Sequence, residues 1–284
     1  MADGPERSED PTASNAIERS MQIHVTHLST ACILLEIGSF RILTDPVFDI
    51  GRQRYRLGPA AYATRFIGPA LAPVSLPPLD LVLLTHAHHL DNLDVLGEQF
   101  VKTAPRVLTG TRDTERAGDG AQRLNVWDST TITTQEGIEI KITATPALHG
   151  PRWLPESWHV IGFVLEWKGQ ENGGIYISGD TVWFGGIRKI ANRFRIGTAI
   201  LHLGAVNFWP PWPSFLLRCT FNGREAARCA RRLEAKTVIP VHYERSVWTH
   251  FKESTESYNN EFADAGVGSR VRWLRQGERS ELVV

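Results

Sequence analysis

Cysteine is scarce in this chain of 284 residues, where it occurs only as Cys32, Cys219 and Cys229. An odd number of cysteines and the lack of a Cys-x-x-Cys pair argue against a disulfide framework and against a thiolate zinc site. Sparse, unpaired cysteine is typical of proteins from a reducing compartment. We therefore expect the protein to be cytoplasmic.

Long apolar segments are absent as well. The apolar runs, such as residues 79–85, are far shorter than the roughly 20 residues that a membrane-spanning helix needs. We therefore expect no integral membrane segment. Residues 1–20 are rich in Asp, Glu, Ser, Pro and Ala and lack the apolar core of a secretory signal. Their composition predicts a disordered N-terminal tail, followed by one domain over residues 21–284.

Neither sign of charge is in excess, because 31 Lys and Arg residues balance 31 Asp and Glu residues. The sequence also lacks an extended basic stripe with interleaved aromatics, so nucleic acid is not expected as a partner. It contains no Gly-x-x-x-x-Gly-Lys phosphate loop, no Gly-x-Gly-x-x-Gly dinucleotide fingerprint and no Gly-x-Ser-x-Gly nucleophile elbow. These absences argue against the common nucleotide-binding classes and against serine hydrolases.

The sequence does contain a series of short apolar runs separated by turn residues, which is the pattern of β-strands. The predicted strands cover residues 22–28, 31–37, 40–44, 79–85, 138–145, 160–167, 175–178, 199–203 and 238–241. Amphipathic patterns predict helices over residues 222–235 and 254–265. Strands first, and then strands that alternate with helices, favour a sheet-rich α/β architecture with the helices outside.

The densest group of polar residues directly follows the predicted strand at residues 79–85. It contains His86, His88, His89 and Asp91. Further polar residues follow later strands, namely His149, Asp180, His202 and His242. Imidazole nitrogens and carboxylate oxygens are the donors that zinc prefers, and loops at strand ends are where α/β folds place their sites. The sequence therefore predicts a metal site at these strand ends.

In this order, the residues resemble the metallo-β-lactamase fold superfamily. Four phrases resemble the branch that holds ascorbate-6-phosphate lactonases and N-acyl-phosphatidylethanolamine phospholipase D. They are Ile-Leu-Thr-Asp-Pro at 42–46, Thr-Pro-Ala-Leu-His-Gly at 145–150, Ser-Gly-Asp-Thr at 178–181 and Pro-Val-His-Tyr at 240–243. The resemblance runs from about residue 22 to 275. It implies an αββα sandwich, with the metal ions at one edge between the sheets, and a metal-dependent hydrolase.

The loop after the strand departs from the superfamily pattern His-x-His-x-Asp-His. Counted from His86 and His88, Leu90 stands where the aspartate is expected. Counted back from Asp91, residues 89–92 match His-x-Asp-His, with Asn92 in the place of the last histidine. The loop therefore carries one extra residue and has lost one imidazole. His86, His89 and Asp91 are the preferred ligands from this loop, with His88 as the competitor of His89. The resemblance adds His149, Asp180 and His242 as further ligands.

The resemblance also implies roles for these residues around one or two Zn²⁺ ions, with Mn²⁺ or Fe²⁺ as alternatives. The metal would lower the pKa of a bound water and so supply hydroxide at neutral pH. Asp180 would bridge two ions, and with a single ion Asp91 would act as general base. His202 is either a proton donor to the leaving group or a buried structural histidine. Asp45 either accepts the second ring proton of a ligand histidine or is a turn residue before proline.

Two segments bear on the substrate. Residues 51–56 contain Arg52, Arg54 and Arg56, which either clamp a phosphate or carboxylate or form a solvated loop. Aromatic residues in the segment 207–213, together with Trp153, Trp158 and Trp183, either wall an apolar pocket or pack as ordinary loop residues. The first interpretation of both segments favours a small-molecule substrate with an anionic group and an apolar part.

The leading functional hypothesis is a hydrolase that cleaves an ester, a lactone or a phosphodiester. A single-iron oxidoreductase is the first alternative, since the fold hosts iron oxygenases that use two histidines and an aspartate, and the loop has lost a histidine. The second alternative is a non-catalytic metal-binding protein. The substitution at Asn92 is the only feature that favours it, and the presence of His149, Asp180 and His242 argues against it. The sequence does not indicate an oligomeric state.

Overall fold

The computed structural model describes residues 22–56, 62–112, 115–207 and 217–284. The predicted tail and most of the aromatic segment 207–213 lie outside the described residues. The strands are β1 (Ile23–Ser29), β2 (Cys32–Ile37), β3 (Phe40–Thr44), β4 (Gln53–Arg56), β5 (Tyr62–Arg65), β6 (Leu81–Leu84), β7 (Val107–Gly110), β8 (Gln122–Leu124), β9 (Ser129–Thr133), β10 (Glu139–Pro146), β11 (Ile161–Glu166), β12 (Gly174–Ile177), β13 (Ile196–His202), β14 (Thr237–Val241) and β15 (Arg279–Glu281). The α-helices are α1 (Val95–Val101), α2 (Gly185–Arg193), α3 (Gly223–Leu233) and α4 (Thr255–Asp264).

The strands form two large sheets and one small hairpin. The first sheet has seven strands in the order β15-β1-β2-β3-β6-β7-β8, and the second has six in the order β14-β13-β12-β11-β10-β9. β4 and β5 pair with each other as an antiparallel hairpin. The pairs β3–β6 and β6–β7 in the first sheet are parallel, as are β12–β13 and β13–β14 in the second. The carboxyl ends of these parallel strands therefore lie at one edge of each sheet.

The alternation of apolar residues explains how the sheets pack. On β6, Leu83 belongs to the core between the two sheets, whereas Val82 and Leu84 belong to the core on the outer face of the first sheet. On β11, Phe163 faces the core between the sheets and Val164 faces the helices. Both faces of these strands are buried, which is why they appear in the sequence as continuous apolar runs.

The helices cover the outer faces of both sheets. Buried residues of α2, α3 and α4 pack on the second sheet, and Val101 of α1 packs on the first. In α3, Asn222 accepts a hydrogen bond from the backbone N–H of Glu225 at 2.9 Å, which caps the start of the helix. The predicted αββα sandwich is therefore confirmed. Within the described residues, no helix is long and apolar enough to cross a membrane.

All predicted strands and helices are present, with ends that differ by at most three residues. The sequence analysis missed α1, α2, β4, β5, β7, β8, β9 and β15. These elements are short, and α2 begins with the pair Gly185-Gly186, which has low helix propensity. Such elements form because neighbouring strands and helices pair with them or cover them, and a local sequence pattern does not report that.

A buried ion pair fixes the chain just after the histidine-rich loop. Asp94 ends this loop and caps α1 by accepting a hydrogen bond from the backbone N–H of Gly97 at 2.8 Å. One nitrogen of Arg65, on the hairpin, lies 3.1 Å from the second carboxylate oxygen of Asp94, and both side chains are fully buried. The pair therefore joins the hairpin to the loop that carries the predicted metal ligands.

We expect Arg65→Met to lower the free energy of unfolding by about 3–5 kcal/mol, because it leaves a buried carboxylate without its cation. The matched control is Lys102→Met, which breaks the ion pair between Lys102 and Glu98 on the surface, where the lysine is 49% exposed. That change should cost less than about 1 kcal/mol. Denaturant unfolding measures both values, and equal costs for the two variants would contradict this account of the loop.

Candidate metal centre

The predicted ligands meet at one edge of the sandwich in two clusters, each with donor atoms within 4.8 Å of one another. The first cluster consists of His86, His88, His89 and His149, and the second of Asp91, Asp180 and His242. They come from loops that follow β6, β10, β12 and β14. The two sheets are joined at this edge by a hydrogen bond from Ile161 N–H to the carbonyl oxygen of Thr85, at 3.1 Å.

A short chain of hydrogen bonds orients His86. The hydroxyl of Thr85 lies 2.9 and 3.0 Å from the two carboxylate oxygens of Asp45, to which it donates. The Thr85 oxygen can therefore accept a hydrogen bond from Nδ1–H of His86, at 3.1 Å. This arrangement leaves Nε2 of His86 as the lone-pair nitrogen that faces the cluster, which is the tautomer that a metal ligand needs.

His149 and His242 are oriented in the same way. Nδ1 of His149 donates to the carbonyl oxygen of Cys219 at 2.8 Å, and Nδ1 of His242 donates to the carbonyl oxygen of Leu203 at 3.2 Å. Ligand histidines typically donate their second ring proton to such acceptors. In both residues Nε2 is thereby left to face the clusters.

Asp180 lies where the two clusters meet. Its Oδ2 is 3.8 Å from Nε2 of His86 in the first cluster and 3.7 Å from Nε2 of His242 in the second. Its Oδ1 accepts a hydrogen bond from Nδ1 of His202 at 3.0 Å. His202 is fully buried and fixes the carboxylate, so that Oδ2 faces both clusters.

The backbone near the clusters is strained. Gly179 has a φ of +60°, and an added Cβ would lie 2.5 Å from the carbonyl oxygen of Ile161. Only glycine therefore allows the Asp180 loop to pass this close to β11. His242 and Asp45 also have positive φ values, of 58° and 36°. Strain of this kind is typical of functional sites, where the surrounding structure holds it in place.

His88 and His89 both contribute to the first cluster. Nδ1 of His89 lies 2.9 Å from Nε2 of His149, which favours His89 as the ligand. The ring centroid of His88 lies 4.9 Å from that of His86, but His88 is the more exposed of the two competing residues. The preference for His89 stays a prediction.

The electrostatics of the site favour a bound cation. Burial lowers the pKa values of His86, His89, His149 and His202 and so keeps these imidazoles neutral. Burial opposes charge on His242 as well, but the carboxylates of Asp180 and Asp91 raise its pKa to about 9. Against the effect of burial, hydrogen bonds and charges of neighbouring histidines lower the pKa values of both carboxyls. The buried carboxylates of Asp91 and Asp180 therefore favour the binding of a positive charge between the two clusters.

Several buried donor atoms of the clusters have no hydrogen-bond partner among the described residues. They are Nε2 of His86, Oδ1 of Asp91, Oδ2 of Asp180 and Nε2 of His242. Buried polar atoms are almost always satisfied in proteins, so their common location is the mark of a cation site. Nitrogen and carboxylate donors fit zinc, manganese or iron.

Two sequence-based expectations need comment. Asp45 accepts hydrogen bonds from Thr85 and not from a ligand histidine, so the first of its two interpretations was wrong. Asp45 acts on His86 only through the Thr85 hydroxyl. Arg52 and Arg54 stack on the rings of Phe66 and Tyr62, at 5.3 and 4.3 Å, and their role as an anion clamp stays a prediction.

The sequence analysis also missed His250, whose Nε2 lies 2.8 Å from Oδ2 of Asp91. His250 does not follow a strand directly, because it lies in the loop between β14 and α4. The only signal in the sequence was its imidazole. Proximity to Asp91 across 159 positions is visible only in the fold.

Known proteins are similar to this chain in sequence and in fold. The family model described as "Beta-lactamase superfamily domain" matches residues 40–243. A UPF0173 metal-dependent hydrolase from Pyrobaculum islandicum is 31% identical over 223 residues, which cover 75% of this chain and 80% of that protein. A protein of the same name from Methanoregula boonei is 29% identical over 228 residues, which cover 78% and 82% of the two chains.

A solved structure with the same fold is an isothiocyanate hydrolase from Delia radicum gut bacteria. Its TM-score is 0.73 at 19% sequence identity, and the match covers 92% of this chain and 100% of that one. The family model spans well over half of this chain and includes every residue of both clusters. The chain therefore belongs to the beta-lactamase superfamily and is a metal-dependent hydrolase of the metallo-β-lactamase fold.

Proposed function

We propose that the protein cleaves an ester, lactone or phosphodiester bond of a small molecule, with one or two divalent ions held by the two clusters. The observation that carries this proposal is the position of Asp180, whose Oδ2 faces His86 and His242 at 3.8 and 3.7 Å. When bound, a divalent ion lowers the pKa of water and polarises a carbonyl or phosphoryl oxygen. Zinc is the first choice for this donor set, with manganese or iron as alternatives.

The residues of the chain would divide the remaining work. His86, His89 and His149 would hold one ion, with His88 as the alternative to His89, while Asp91 and His242 would hold the second, and Asp180 would contact both. In a site with one ion, Asp91 would be free to accept the proton of the attacking water. His202 would keep Asp180 in place through its 3.0 Å hydrogen bond. Proton donation by His202 to the leaving group stays a prediction.

A cavity whose lining includes residues close in sequence to His149 and Asp180 supports a substrate with an apolar part and an anionic group. It measures about 260 Å³ and is lined by Trp127, Pro146, Arg152, Trp158, Phe184, Gly185, Gly186 and Lys189. Pro146 and Phe184 belong to the segments that lead to His149 and away from Asp180. Aromatic walls favour an apolar group, and the two cationic side chains favour an anion beside it.

We further propose a cytoplasmic location and a single domain over residues 21–284. The three cysteines are all free in the structure, and Cys32 and Cys229 are buried. Unpaired cysteine of this kind is typical of proteins that stay in a reducing compartment.

The first test is hydrolysis of a panel of esters, lactones and phosphodiesters by metal-stripped protein, with Zn²⁺ or Mn²⁺ then restored. We expect turnover of at least one class only after metal is restored. Asp180→Asn should lower kcat/KM by at least about 100-fold, because the loss of a mere supporting partner of a ligand already costs roughly 10- to 100-fold. The matched control is Asp119→Asn, at an exposed aspartate, which should be neutral.

Failure of every substrate class with both metals would contradict the proposed function. Iron in the protein as isolated, together with that failure, would favour the oxidoreductase alternative. Bound metal without either chemistry would favour a non-catalytic metal-binding protein.

The second test concerns the cavity. The double variant Arg152→Gln/Lys189→Gln should raise KM about three- to tenfold for an active substrate with a carboxylate on its apolar part, since each exposed ion pair contributes up to about 1 kcal/mol. A neutral isostere of the same substrate is the control, and its KM should stay the same. An equal rise for both substrates would show that these side chains do not recognise the anion.

A further inference from the structure

The second cluster has three donor residues against four in the first, and Asn92, which follows Asp91, carries no imidazole. Its amide nitrogen lies 3.5 Å from the hydroxyl of Thr85, and its side chain is buried. Its amide oxygen, Oδ1, is buried and has no hydrogen-bond partner among the described residues. Asp91 therefore sits in a loop whose next residue supports Thr85 and does not contribute an imidazole to the second cluster.

An imidazole from a distant part of the chain reaches Asp91 instead. His250 is 5% exposed, and its Nε2 lies 2.8 Å from Oδ2 of Asp91. Its ring is fixed between aromatic neighbours, with ring centroids at 5.1 Å from Trp248 and 4.6 Å from Phe251. A buried ring with such neighbours has little freedom to turn away from the carboxylate.

A neighbouring residue of the loop packs on the same segment. Leu90, which lies between His89 and Asp91, is half-buried against the apolar group that contains Val247, Trp248 and Phe251. The segment 247–251 thus supports the altered loop in two ways. It offers an apolar surface to Leu90, and it offers an imidazole to Asp91.

We propose that His250 is a positioning residue for Asp91. Its imidazole holds the Asp91 carboxylate of the second cluster, to which Asn92 contributes no imidazole. Nε2–H of His250 donates to Oδ2 of Asp91. Oδ1 of the same carboxylate is buried and has no hydrogen-bond partner among the described residues, so it is left to a bound ion. Hydrogen bonds to ligand carboxylates fix their orientation and strengthen binding of the metal. This inference rests on the proposed two-ion site.

The test is titration of the metal-stripped full chain with Zn²⁺ in competition with a chromophoric chelator. His250→Ala should weaken the second Zn²⁺ site about 10- to 100-fold and leave the first site unchanged. His250→Gln should stay within about threefold of wild type, because the glutamine amide nitrogen reaches the place of Nε2. His250→Asn, with the same amide one methylene shorter, should behave like His250→Ala.

The control variant is His24→Ala, at a histidine on β1 outside both clusters, which should bind both ions like wild type. Thermal unfolding of each stripped variant checks that the fold is intact. Unchanged second-site affinity in His250→Ala would overturn the inference. A loss in His250→Gln as large as in His250→Ala would overturn it too, and would assign His250 as a direct ligand. A wild-type chain that binds only one Zn²⁺ would overturn both this inference and the two-ion site.

Discussion

Two carboxylates buried side by side are the constraint on which the rest of the site depends. Asp91 and Asp180 are 3% and 1% exposed, and both lie within 4 Å of Nε2 of His242. Burial of a carboxylate is costly unless a positive charge compensates it. In the protein alone, the protonated imidazole of His242 supplies that charge, because its pKa is raised. A divalent ion would supply more charge at the same place and would also satisfy the buried donor atoms around it.

The support of these donors comes from the ends of the strands. The carbonyl oxygen of Leu203 follows β13, and the hydroxyl of Thr85 follows β6. Both accept from Nδ1 of a histidine, so the sheets fix the direction in which each Nε2 points. The strands are packed on both faces, against the core between the sheets and against a core on the outer face. The donor atoms therefore follow rigid elements, which is what a preorganised metal site requires.

The strands, and the polar residues that meet in the two clusters, could be predicted from the sequence because both leave local signals, whereas the αββα sandwich was implied by the family resemblance. Strands buried on both faces appear as continuous apolar runs, and the ligands follow those runs directly. His250 and the contact of Asp45 with Thr85 left no such signal, since each depends on segments that only the fold brings together. The short helix α2 was missed for a similar reason, because packing on the second sheet, not propensity, holds it.

The most direct test of the account is a crystal structure of the full chain as isolated, with anomalous difference maps collected at the zinc, manganese and iron edges. The account predicts anomalous density in contact with Nε2 of His86, Nε2 of His149 and Oδ2 of Asp180. A second peak would contact Asp91, Asp180 and His242. A crystal structure without an ion at the two clusters would contradict the account if the carboxylates of Asp91 and Asp180 were then satisfied by hydrogen bonds alone. An ion bound elsewhere in the chain would contradict it equally.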